Sequence, residues 1–139
     1  MHNRKERLGL GEMTYVSTFA RSQTRGEARS VAIVTAVATV SLLTGMNAMT
    51  LAAAAALVDR RFFWVFELPK PVVVLVALGF LLASYWRYGR RHDALMAAYL
   101  NVENVKPGVC WRRAISYAVV STVSLVLVCW PLYGTGAPK

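Results

Sequence analysis

Three apolar stretches, Val31–Val58, Val72–Tyr88 and Ala114–Trp130, fill nearly half of this 139-residue chain, and the one Asp, Glu, Lys, Arg or His inside them is Arg87, next to the end of the second. A bilayer hydrocarbon core of about 30 Å is crossed by roughly 20 helical residues, with about 17 to 25 the usual range. Each stretch is therefore long enough to span. The first exceeds the need, which predicts tilt or an end that projects from the hydrocarbon. Backbone groups in lipid must be satisfied within a helix or a closed barrel, and the repeated ten-residue alternation of a barrel is missing. The expected fold is all-α. It comprises a polar N-terminal arm (1–30), a domain of three transmembrane helices (31–133) with a short amphipathic helix between the second and third, and a short tail (134–139). Composition agrees, with 56% apolar residues and a mean hydropathy of +0.42.

The formal charge of +9, from 16 Lys and Arg against 7 Asp and Glu, is unevenly placed. Six basic residues precede the first span and six run from Arg87, at the end of the second, to Arg113, whereas three lie between the first and second and one follows the third. Twelve against four predicts that the N-terminus and the second loop are cytoplasmic and the C-terminus is outside. Arg87, Arg90, Arg91, Arg112 and Arg113 are candidate contacts for anionic lipid headgroups. Basicity of this size in a soluble protein would suggest nucleic acid. Here positive-inside charge accounts for it, and no nucleic-acid partner is expected. Cys110 and Cys129 bracket the third span, so they are not expected to pair or to form a thiolate metal site.

The arm is rich in Arg, Ser and Thr, with Gly9, Gly11 and Gly26 as breakers. Met13, Val16, Phe19 and Ala20 share one helical face, which is expected at the membrane surface. The first apolar stretch is far longer than the roughly 7 to 15 residues of a signal-peptide core, so it is read as retained. Within it Asn47 is the only side-chain amide, and Ala48, Ala52 and Ala56 recur every four residues. Small residues at that spacing let helices approach closely. Gly79 and Ala83 repeat the pattern in the second span. These six residues are the candidates for helix packing or assembly.

Phe62, Phe63 and Trp64 suit the headgroup level at one border, as Tyr85, Trp86 and Tyr88 do at the other. Pro71 fits a first helical turn. In the second loop, Leu95, Tyr99, Val102 and Val105 recur at helical spacing, which predicts an amphipathic helix on the inner leaflet, ended by Lys106-Pro107-Gly108. Ser116, Tyr117, Ser121, Thr122 and Ser124 give the third span hydroxyls that bond their own backbone or a neighbouring helix.

The chemistry of an enzyme is not written in this chain. There is no Gly-rich phosphate loop, no paired carboxylates and no Cys/His metal spacing, and no cofactor is expected. His2 and His92 are isolated, and His92 in Arg90-Arg91-His92-Asp93 reads as a solvated headgroup contact. A serine nucleophile would need a histidine partner at membrane depth.

The arrangement resembles a group of small bacterial inner-membrane proteins of unknown function. The likeness rests on Gly45-Met46-Asn47 in the first span, on Tyr85-Trp86-Arg87-Tyr88-Gly89-Arg90-Arg91 ending the second, and on Tyr117 and Ser121 opening the third, over residues 31–130. It implies a multi-pass protein of the bacterial inner membrane and carries no activity. The expected role is a non-catalytic membrane protein that self-associates or serves another membrane protein through the Ala48/Ala52/Ala56 face. A holin-like or effector pore lined by the hydroxyls and amide of the first span is the alternative. A small transporter subunit is a third reading, although coupled transport usually needs a membrane-embedded acid or an unwound midplane helix.

Overall fold

A computed structural model describes residues 8–105 and 107–134; His2, Arg4, Lys5, Arg7, Lys106 and Lys139, with the rest of the tail from 135, lie outside the described residues. The architecture is all-α. Helix α1 (Leu10–Thr24) is followed by α2 (Arg29–Val58), a 3-10 helix (Arg60–Glu67), α3 (Lys70–Ser84) with a π-helical end (Tyr85–Gly89), α4 (His92–Val105) and α5 (Val109–Gly134). Three of these helices are long and apolar enough to cross a membrane: Arg29–Val58, Lys70–Gly89 and Val109–Pro131.

The boundaries have local causes. Glu12 accepts from the Gly9 backbone N–H at 2.8 Å and so closes the first turn of α1. Gly26 (φ 79°) turns the chain from α1 into α2, and Gly108 (φ 74°) turns it from α4 into α5, a left-handed conformation that a Cβ disfavours. The Asp59 carboxylate accepts from the Arg61 N–H at 2.9 Å and starts the 3-10 helix, a stretch read from sequence only as a loop. Pro71 lies in the first turn of α3. Helix α5 begins at Val109, so Arg112 and Arg113 belong to its first two turns instead of the preceding loop.

Helix α2 is the central element. At 30 residues it is about 45 Å long, and it packs against α1, α3, α5 and the 3-10 helix. Helices α3 and α5 flank it and scarcely touch each other. A third of the apolar window of α2 is buried, against 6% for α3 and 11% for α5.

The core sits at one end of the bundle, and this corrects the expectation for the arm. Helix α1 doubles back along α2, and Met13, Val16 and Phe19 are buried with Tyr15 against Ala32, Ala36, Val37 and Val40. The face assigned to the membrane surface is thus covered by protein, because α2 and α5 supply enough apolar area to take it. The amphipathic helix between the second and third spans is present as α4. Its Leu95 is buried, and Met96, Tyr99 and Val102 pack on the same core, so these positions of the stripe are covered by neighbouring helices, while the Val105 side chain lies outside the described residues. At the other end, α3 exposes Val72–Leu78 and α5 exposes Val119, Val123 and Leu127.

Candidate functional site

Two polar features lie at the end where α1 and α4 meet the spans. The first is a closed cluster around Tyr15 and His92. The Tyr15 hydroxyl and His92 Nδ1 are 3.0 Å apart and share one buried hydrogen bond, its donor set by the imidazole tautomer. The Tyr15 ring stacks on Tyr88 at 5.7 Å, and Phe19 meets the imidazole edge-on at 4.4 Å. Gly11 is needed beside it, since a Cβ there would stand 2.5 Å from the Tyr88 hydroxyl. Ion pairs close the rim: Arg29 to Asp93 at 2.9 Å and Arg91 to Glu12 at 3.6 Å.

Burial sets the electrostatics of this cluster. It pushes the Tyr15 phenol up, with Tyr85 adding and Arg29 opposing. It holds the His92 imidazole below its usual value, with Arg29 adding and Asp93 opposing. Both groups are therefore neutral near pH 7. Neither lines either of the two clefts described below, and the pair ties α1 to α4. The sequence-level reading of His92 as a solvated headgroup contact is corrected: the side chain is enclosed at 6% exposure.

The second feature is a pair of adjoining clefts. One, of about 360 Å³, is lined by Ser17, Ala20, Arg21, Thr24, Tyr99 and Trp111. The other, of about 420 Å³, runs between α1, α2 and α5. Arg21, Arg25 and Glu27 lie at its polar end, Thr18 and Thr39 along its length, and Leu43, Ala114, Ile115 and Ala118 at its apolar end. Arg21 and Trp111 are common to both, with the guanidinium carbon 4.3 Å above the indole ring. Ser17 Oγ and Glu27 Oε2 are buried oxygens without a hydrogen-bond partner among the described residues.

The candidates named from sequence lie elsewhere. Asn47 Nδ2 donates to the Tyr117 hydroxyl, joining α2 to α5. Ala56 is buried, while Ala48 and Ala52 are half-buried. Gly79 and Ala83 face outward, and a Cβ on Gly79 would meet nothing within 4 Å. Arg90 stacks over Trp86 at 4.2 Å, Arg87 lies 5.7 Å from the Tyr88 ring centre, and Arg91 reaches Glu12. Arg112 and Arg113 are exposed. Cys110 is buried and Cys129 half-buried, both as free thiols. Among the described residues no three His, Cys, Asp or Glu side chains gather as a metal site.

Sequence reasoning missed Tyr15, Arg21, Arg25, Glu27 and Trp111. The one available signal was that Arg21 and Arg25 lie one helical turn apart, which puts two cations on one face.

Compared with known proteins, the chain matches no protein-family model, no curated protein and no solved structure, so the likeness to small three-span proteins stands as three long apolar helices with no family identified.

Proposed function

We propose that this is a non-catalytic multi-pass membrane protein that works by assembling with a second copy of itself or with another membrane protein, through the Gly79/Ala83 face of α3. The observation that carries the reading is the isolation of α3. Only Ser84 is buried in that helix, and Gly79 and Ala83 stand one turn apart beside open space. Small residues there let a second backbone approach closely, which is how helices gain contact in lipid. The Ala48/Ala52/Ala56 face supports assembly less well, because Ala56 is already covered within the chain.

The pore alternative has little polar surface to draw on. The hydroxyls of Thr39, Ser41, Thr44 and Thr50 each donate to the carbonyl four residues before, at 2.8 to 2.9 Å. Asn47 is engaged by Tyr117. The basic residues favour an orientation with the α1/α4 end cytoplasmic, in the bacterial inner membrane that the resemblance implies, where Arg87, Arg90, Arg112 and Arg113 meet anionic headgroups.

The test is the mass of the complex in native nanodiscs for wild type, for Gly79→Leu with Ala83→Leu, and for Asn47→Leu with Ala52→Leu. Loss of a defined oligomer or of a co-purifying partner in the α3 variant alone supports the reading. A wild-type monomer that carries no partner overturns it.

A further inference from the structure

We infer that the cleft between α1, α2 and α5 holds one membrane lipid with a zwitterionic aminophosphate headgroup, its phosphate between Arg21 and Arg25, its ammonium on Glu27 and one acyl chain against Leu43 and Ala118. The inference is independent of the assembly reading.

The cleft is amphipathic along its length. The charged residues Arg21, Arg25 and Glu27 stand where α1 turns into α2, the apolar residues Leu43, Ala114, Ile115 and Ala118 lie further along α2 and α5, and threonines line the cleft between and beside them. From Glu27 to Leu43 is sixteen residues, about 24 Å at the helical rise. Half a bilayer including its headgroups is about 20 to 22 Å. The cleft therefore has the length of a lipid lying along α2. Its volume, about 420 Å³, takes a headgroup and the upper part of one chain. The rest of the chain has a track to follow, since Ile115, Val119 and Val126 share one face of α5 and are all exposed.

The polar end has the chemistry of a phosphate joined to an amine. Two guanidiniums on successive turns of the α1 end offer forked donors that match phosphate oxygens. Arg21 is held in place by its stack on Trp111, and an indole is the ring that settles at the headgroup level. Glu27 Oε2 is buried without a partner among the described residues, and an anionic headgroup would satisfy the arginines while offering this carboxylate at best a neutral hydroxyl donor and no opposite charge. A primary ammonium three or four bonds from the phosphate supplies that oxygen with a donor and balances its charge. Thr18 lies about one helical turn from Arg21, and Thr35 lies halfway between Glu27 and Leu43, so hydroxyls line the cleft between its two ends.

Native mass spectrometry of the full-length protein, offered equal amounts of phosphatidylethanolamine, phosphatidylcholine and phosphatidylglycerol, tests the assignment. Wild type is expected to retain one phosphatidylethanolamine over the other two by about tenfold, the worth of one charge-assisted hydrogen bond. Glu27→Gln should bring phosphatidylethanolamine down to the level of phosphatidylcholine. Arg21→Gln with Arg25→Gln, and separately Ala118→Phe, which fills the apolar end, should each remove the adduct while helix content by circular dichroism is unchanged. Soluble phosphoethanolamine at millimolar concentration should not displace it. Equal retention of the three lipids by wild type, a preference for phosphatidylglycerol, or a preference untouched by Glu27→Gln overturns the headgroup assignment. An adduct that survives Ala118→Phe lies outside the cleft and overturns the site. Full displacement by phosphoethanolamine would make the ligand a free amine phosphate instead of a lipid.

Discussion

The Tyr15 hydroxyl lies 3.0 Å from His92 Nδ1, a buried contact between residues 77 positions apart that fastens α1 to α4. Around it the packing is aromatic, through Tyr88 and Phe19. The end of the bundle that holds this pair is therefore organised like the core of a soluble protein. At the opposite end the chain leaves the apolar faces of α3 and α5 uncovered.

Removing the hydroxyl while keeping the ring isolates the value of that bond. Tyr15→Phe preserves the stack on Tyr88 and leaves a buried imidazole nitrogen without its partner, at a cost of about 1 to 3 kcal/mol. Hydrogen exchange should report weaker protection of residues 10–24 with little change in α5. Wild-type protection in the variant would mean that the bond contributes nothing.

Acid should loosen the same junction. Burial and Arg29 keep the His92 imidazole below its ordinary value, so the folded protein binds fewer protons there than the unfolded chain. Stability then rises with pH across this titration. The contribution is complete above the unfolded value of about 6.5 and is lost as pH falls from there towards the lowered native value. Protection of α1, corrected for intrinsic exchange, should drop between pH 7 and 5 in wild type. His92→Gln, which does not titrate, should flatten the profile, and an equally steep fall in that variant would assign the effect to another group.

The contact between Asn47 and Tyr117 is expected to couple α2 to α5 inside the membrane. Asn47→Leu and Tyr117→Phe should each destabilise the protein, and the double variant should cost about 1 kcal/mol less than the sum of the two. Unfolding in mixed micelles of increasing dodecyl sulfate content provides the measurement. Strict additivity would show that the two side chains do not act together.

Length and apolarity of each stretch determined the three long helices, because whether a segment can satisfy its backbone in lipid is decided within the segment. The turns at Gly26 and Gly108 and the helical spacing of Leu95, Tyr99 and Val102 were equally local, and α4 is found where that spacing put it. Tertiary structure decided what covers each face. Met13, Val16 and Phe19 read the same in sequence whether they lie on lipid or on α2, and only the return of α1 along α2 buries them. Asn47 finds its partner 70 residues away, Arg29 finds Asp93 at 64, and Arg21 finds Trp111 on another helix altogether. Periodicity within a segment fixes a helix and its apolar side. It holds no information on which helix will stand opposite, because that choice rests on the summed packing of all five α-helices at once.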